Sequence, residues 1–461
     1  MMFDTIAAIS TPLGEGGIGI VRISGEKSLE ILEKVFRASR PKNWRTVQSH
    51  TIHYGHVVEQ KSGEVVDEVL VSVMRGPRTF TAEDVVEINC HGGIVPLQKI
   101  LELVLQAGAR LAEPGEYTKR AFLNGRIDLS QAEAVIDIIR ARTDQGLKVA
   151  VNQLAGALSA KVKNLREELL GLLAFIEAGV DFPEEDVQQV SLKEIGDRVI
   201  EVNQQVKRLL SGADAGRIYR EGIRMVIAGK PNVGKSSLLN ALLRERRAIV
   251  TDIPGTTRDV IEEVINLRGI PVRIIDTAGI RDTTDIVERL GVEKTREWLA
   301  QADLVLLVID ALTGITREDK EILDLIGEQR VIILVNKIDV EKPRIDKEEV
   351  MEWAGDRVCL EISAREEIGL EELADTVVGM VLEGKVVAAD QGLVTRVRHQ
   401  ESLQRAARHL EQVEEGVLLG FAQDLLSIDL KAAWEALGEI TGDTLGEDVL
   451  DRIFAEFCIG K

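Results

Sequence analysis

Cysteine is scarce: Cys90, Cys359 and Cys458 are odd in number and far apart. A disulfide framework is therefore not expected, and a reducing, cytoplasmic setting is. Aromatic residues make up 3% of the chain, too few for a broad base-stacking platform. No run approaches the roughly 18 apolar residues a spanning helix needs. The N-terminus has no basic region leading into an apolar core, so neither a membrane span nor a secretory signal is expected. Positive charge is also in deficit, with 57 Lys and Arg against 77 Asp and Glu, a net −20. The average surface repels a nucleic-acid backbone, so any RNA contact needs a local basic patch or a partner. Internal repeats and low-complexity tracts are missing as well. His50, His53, His56 and the Cys90–His91 pair lack metal-ligand spacing and read as structural.

What is present is a soluble globular composition, 45% hydrophobic and 29% charged, over 461 residues, enough for two or three domains. Residues 1–120 mix β-like runs ("GIGIVRISG", "EVLVSVMRG", "EDVVEINCHGG") with helical stretches ("SLEILEKVFRAS", "PLQKILELVLQAGA"), which predicts an α+β domain. Residues 121–221 turn helical and charge-laced, interrupted at "DFPEED". Residues 222–383 alternate buried-strand runs ("IRMVIAG", "VRIID", "DLVLLVID", "RVIILVN", "DRVCLEIS") with helices, the pattern of a doubly wound parallel sheet. Residues 384–461 are helical again. The fold class expected is multidomain: an N-terminal α+β domain and a discontinuous helical domain split by an inserted α/β domain.

"GKPNVGKS", Gly229 to Ser236, follows a strand and opens a helix, the context of a P-loop. Asn232, Val233 and Gly234 lend backbone N–H groups to phosphate, and Ser237 extends the helix whose positive end faces it. Lys235 supplies a charge to the β- and γ-phosphates, and Ser236 a hydroxyl for Mg²⁺. Further pieces follow in order. "TDIPGTT" places Thr251, Asp252, Ile253, Pro254, Gly255, Thr256 and Thr257 in a polar loop able to complete the Mg²⁺ shell. "DTAG" sets Asp276 near the metal and Thr277, Ala278 and Gly279 near the γ-phosphate. In "NKID", Asn336 and Lys337 precede Asp339, whose carboxylate accepts two N–H bonds from guanine that adenine cannot offer. "SAR", Ser363, Ala364 and Arg365, closes the base pocket. Together these predict GTP binding.

Ile280 stands where a water-orienting glutamine often follows "DTAG", so hydrolysis needs another device. An amide- and carbonyl-rich loop around Asn232 can bind a monovalent cation in place of an arginine. Glu288 can orient water, although spacing alone favours a solvated helix start.

The chain resembles the MnmE (TrmE) family of tRNA-modification GTPases over essentially its whole length. The resemblance rests on "TIAAISTPLGEGGIGIVRISG", "FTAEDVVEINCHGG", "PGEYTKRAFLNGRIDLSQAEAVIDII", the nucleotide motifs and the terminal "CIGK". It implies K⁺ held by Asn232, Thr251, Ile253 and Thr256, Mg²⁺ held by Ser236 and Thr257, and Glu288 as catalytic residue beside Lys235. It further implies G domains that pair across K⁺, and an N-terminal domain that dimerises and binds 5-formyl- or 5,10-methylene-tetrahydrofolate. The matching folate positions are Arg22, Glu87, Arg126 and Lys461; at Arg126 the family pattern more often has lysine, a cation of different geometry.

Residue chemistry agrees with two of these. Arg22 interrupts an apolar run where an unpaired charge is costly, and the Glu87 carboxylate can accept the paired N–H groups of a pterin edge. Cys458 is a candidate nucleophile or acid/base, against the ordinary alternative of an inert packing thiol. The implied function is GTP-driven installation of a (carboxymethyl)aminomethyl group at C5 of the wobble uridine, position 34, of certain tRNAs. The implied partner is the FAD-containing protein MnmG (GidA), in a heterotetramer or larger complex. The alternative is a ribosome-assembly or regulatory GTPase without modification chemistry.

Overall fold

The computed structural model describes residues 4–181, 191–246, 262–276, 297–340, 345, 347–382 and 392–461. Thr251, Asp252, Ile253, Pro254, Gly255, Thr256, Thr257, Thr277, Ala278, Gly279 and Glu288 lie outside the described residues. The chain forms two compact units, one of residues 1–136, 162–173 and 430–461, the other of 137–161 and 174–429.

In the first unit, strands β1 (Ile6–Ile9), β2 (Gly16–Ser24), β3 (Phe36–Ala38), β4 (Thr51–Val58), β5 (Val65–Met74), β6 (Val85–Gly92) and β7 (Arg110–Leu111) make a sheet in the order β3-β4-β5-β6-β2-β1-β7. All pairings are antiparallel except β1 with β7. Alternation sends Val57, Val69, Val71, Val73, Val86 and Ile88 into a core shared with helices Ser28–Val35 and Ile94–Gln106. The helix expected through "SLEILEKVFRAS" stops early. Phe36 turns extended, at φ −124° and ψ 131°, and buries its ring against Trp44, so Phe36–Ala38 joins the sheet edge instead. A second core gathers Leu129, Ala132, Leu450, Phe454 and Phe457. It fastens the C-terminal helix Glu447–Ala455 beside Glu116–Leu123.

The second unit contains a sheet of β8 (Ile223–Ala228), β9 (Glu262–Leu267), β10 (Ile270–Asp276), β11 (Leu304–Asp310), β12 (Val331–Asn336) and β13 (Val358–Ile362), ordered β13-β12-β11-β8-β10-β9. Every residue of β11 and β12 is buried, the continuous apolar run of parallel strands covered on both faces. The sheet is not wholly parallel as expected: β9 runs antiparallel to β10 at the edge. Turn residues Arg268 and Gly269 both adopt positive φ, and Gly269 N–H donates to the Asn266 side chain at 2.8 Å, which closes a hairpin there. In the same unit, helix Leu192–Ser211 packs along Val397–Leu419, joined by Asn203 Nδ2 donating to Glu414 Oε1 at 2.7 Å.

Candidate functional site

β8 is flanked by β11 on one side and β10 on the other, so its C-terminal end is where the strand order reverses. Ligands of open α/β sheets bind at such a point. The P-loop leaves β8 there and enters helix Lys235–Arg246. Lys235 Nζ donates to the carbonyls of Gly229 at 2.9 Å and Lys230 at 2.8 Å. The ammonium thus sits inside the curl of the loop, where phosphate oxygens would be received. Gly234 has φ +102°, and a Cβ there would lie 2.3 Å from Asn336 Nδ2. Only glycine lets the phosphate loop and the base loop approach this closely.

Asn336 is the joint between them. Its amide donates to the Val233 carbonyl at 2.8 Å, and its oxygen accepts the Ala364 N–H at 3.0 Å. Lys337 adds a second tie: Nζ donates to the Asn232 carbonyl at 2.8 Å and pairs with Asp310 at 2.6 Å. Ser363 Oγ donates to Asp339 Oδ1 at 2.6 Å and holds that carboxyl below its ordinary range, with help from the Arg365 and Lys337 charges. The acid is therefore ionised and keeps acceptor capacity for two N–H donors. A cavity of about 460 Å³ opens beside it, lined by Gly234, Asn336, Lys337, Asp339, Ala364 and Arg365 among others.

The structure thus brings Asn232, Val233, Gly234 and Lys235 together with Asn336, Lys337, Asp339, Ser363 and Ala364. Ser236 and Ser237 lie in the first turn of the P-loop helix, Ser237 lining the cavity, and Asp276 ends β10. Sequence reasoning missed one more contact. Lys230 Nζ reaches Thr316 Oγ1 at 3.2 Å and Asp319 Oδ2 at 3.0 Å, within the box that caps helix Arg317–Ile326. The signal was a capping-box spacing, Thr316 to Asp319, just ahead of an amphipathic helix.

In the first unit, Arg22 and Glu87 are direct register partners on β2 and β6, and their side chains form a 2.9 Å ion pair. Arg22 also donates to the Gly460 carbonyl at 3.2 Å, which accepts from Ser10 Oγ at 3.2 Å. Gly460 has φ +91°, and a Cβ there would lie 2.4 Å from the Ile9 carbonyl oxygen, so the tail lies flat on β1 only because this residue is glycine. Lys461 is half-buried. Burial and the neighbouring Arg22 charge lower its amine below the ordinary lysine value, with Glu87 opposing. The Cys458 side chain is exposed, while its carbonyl accepts from Gly115 and Lys461 N–H, each at 3.3 Å.

Arg126 is committed elsewhere on the same unit: its guanidinium lies 5.1 Å from the Phe80 ring centroid and donates to the Phe80 carbonyl at 2.9 Å. Tyr117, also unforeseen, lies 5.6 Å under the Arg22 guanidinium and donates its hydroxyl to the Arg22 carbonyl at 2.8 Å.

The sheet, the P-loop and an ionised carboxylate beside the cavity define a P-loop GTPase. A family model described as "GTP-binding protein TrmE N-terminus" matches residues 5–126, and one described as "MnmE helical domain" matches residues 129–458. The chain belongs to the MnmE family of tRNA modification GTPases. A curated relative from Desulforamulus reducens, named tRNA modification GTPase MnmE, is 56% identical over 461 residues, covering 100% of both chains. One of the same name from Thermoanaerobacter pseudethanolicus is 54% identical, again over 100% of both. A solved structure of Aquifex aeolicus Era bound to GDP·AlF4⁻ is 30% identical across 41% of this chain and 66% of its own, with a TM-score of 0.29. Among the described residues, no helix is long and apolar enough to cross a membrane.

Proposed function

We propose that this GTPase depends on K⁺ and, with an FAD-dependent partner of the MnmG type, adds a (carboxymethyl)aminomethyl group to C5 of the wobble uridine of certain tRNAs. The carbon comes from a tetrahydrofolate, which supplies a one-carbon unit when bound. The observation that carries this reading is the Arg22–Glu87 ion pair with Gly460 on it and Lys461 beside it. A nucleotide switch alone has no use for two cations and a carboxylate, all partly buried, on the antiparallel sheet. The set fits a folate: Glu87 accepts pterin N–H groups, while Arg22 and Lys461 match its anionic or carbonyl oxygens. Arg126 would reach the cofactor only by leaving Phe80, to whose carbonyl it donates at 2.9 Å.

At the nucleotide, Ser236 and Thr257 would hold Mg²⁺, with Asp276 nearby. Asn232, Thr251, Ile253 and Thr256 would hold K⁺, and Glu288 would orient the attacking water. Cys458 would serve the modification chemistry. A homodimer is supported by the apolar side chains of Ile52, Tyr54 and Leu70 exposed on the N-terminal sheet, with Tyr54 opposite Leu70.

Titrating the purified chain with 5-formyl-tetrahydrofolate, at high and low K⁺, tests the reading. Deleting Lys461, or substituting Gly460→Ala to lift the tail from β1, is expected to weaken folate binding at least tenfold and spare GTP hydrolysis. Undiminished folate affinity in both variants removes the tail from the site. If the wild-type chain binds no folate, a GTPase without modification chemistry becomes the better account.

A further inference from the structure

From residue 34 to 58 this strongly acidic chain contains no Asp or Glu, yet it carries Lys34, Arg37, Arg40, Lys42 and Arg45. The stretch covers β3, the β3–β4 loop and β4. Arg40, Lys42 and Arg45 are exposed on that loop, and among the described residues none of them is ion-paired. Arg75, at the end of β5, joins them by donating Nη1 to the Arg45 carbonyl at 2.9 Å and its backbone N–H to Ser49 Oγ at 2.8 Å. Other surface cations are held in ion pairs, such as Arg198 with Glu194, Lys207 with Glu411 and Arg317 with Glu321.

The loop is built rather than loose. Trp44, 5% exposed, packs on Phe36 at 5.7 Å and edge-on to His53 at 5.3 Å. The Asn43 side chain accepts the Arg45 N–H at 3.1 Å and fixes the turn Trp44–Thr46. Burial, and after it the Lys42 charge, hold His53 below its ordinary value. Of the nearby carboxylates, Asp84 Oδ1 accepts the Gly76 N–H at 2.9 Å, next to Arg75, and Glu68, opposite His56, accepts the Tyr54 hydroxyl at 2.8 Å.

We propose that the β3–β4 loop, through Arg40, Lys42 and Arg45 with Arg75, is the surface on which this chain grips the phosphate backbone of its folded RNA substrate. This rests on the tRNA-modifying role of the family. Uncompensated cations clustered on one loop of an acidic protein give a polyanion an attractive corner, which steers its approach as well as holding it. The contact reads phosphate and shape: the one aromatic of the loop, Trp44, is buried and offers no base stacking. It therefore positions tRNA without choosing among tRNAs.

The test is tRNA binding by the full chain across a salt series, comparing wild type with the neutralised triple R40Q/K42Q/R45Q. A control triple, R198Q/K207Q/R317Q, makes the same change in net charge at paired sites. Each phosphate contact contributes about 0.7–0.9 to the slope of log K against log salt. The patch triple is expected to bind every tRNA tested roughly tenfold or more weakly at low salt, with a slope shallower by about two to three. The control should match wild type, and GTP hydrolysis should be unchanged in both. Equal behaviour of the two triples overturns the proposal and leaves the modification reading standing. A loss confined to one tRNA sequence overturns phosphate readout. A wild-type chain that binds no tRNA at low salt overturns direct RNA binding by this chain altogether.

Discussion

The side-chain amide of Asn336 donates to the Val233 carbonyl at 2.8 Å, across 103 residues of sequence, and joins the base-reading loop to the phosphate loop. Asn336 is 2% exposed and its oxygen is taken by Ala364 N–H at 3.0 Å. The base-reading and phosphate-reading loops are thus hydrogen-bonded to each other rather than two independent contacts.

Asn336→Ala leaves a buried carbonyl and a buried N–H without partners, each costing about 1–3 kcal/mol. We expect GDP affinity to fall by roughly 10–100-fold and the chain to melt at lower temperature. Titration with a fluorescent GDP analogue and a thermal scan measure both. Wild-type affinity would show that Asn336 does not couple the loops.

Asp339→Asn replaces two acceptor oxygens with one acceptor and one donor. GTP affinity should fall by about 10–100-fold, the worth of charge-assisted hydrogen bonds, while xanthosine triphosphate, whose base offers a carbonyl at the mismatched position, should gain. Competition between the two nucleotides decides it, and an unchanged preference would remove Asp339 from base recognition.

Glu288→Ala should keep nucleotide affinity and lower K⁺-stimulated hydrolysis by a factor on the order of 10². Single-turnover hydrolysis with and without K⁺ reports this directly. A normal rate returns Glu288 to the solvated helix start that its spacing alone suggests.

His91 Nδ1 lies 2.7 Å from Asp67 Oδ1, and that hydrogen bond with the Asp67 charge raises the imidazole above its ordinary value. The protonated form is favoured in the folded state. Stability from the pair is therefore fully present below about pH 6.5 and is lost as pH rises through the folded-state pKa. A ring-proton NMR titration should show His91 titrating above 6.5, and Asp67→Asn should return it there. No change on that substitution would show that Asp67 is not the cause.

Chemistry that depends on adjacent residues is legible in the chain itself. The P-loop from Gly229 to Ser236 needs its glycines, lysine and serine at fixed spacing between a strand and a helix. The fully apolar runs of β11 and β12 declared a covered sheet. Two local readings failed because tertiary contacts outweighed local pattern. Phe36 left its helix to bury its ring under Trp44. An antiparallel hairpin at Arg268–Gly269 added β9 to a sheet expected to be parallel.

The nucleotide chemistry, the acidic charge and the alternation that builds each strand are written into the chain, because they depend on residue type and short-range spacing. The folded arrangement alone sets Arg22 facing Glu87 across the sheet, Gly460 against Ile9, and Arg40, Lys42 and Arg45 on an ordered loop without ion-pair partners among the described residues. Strand register and chain reversal bring together residues hundreds of positions apart, and no local spacing encodes that.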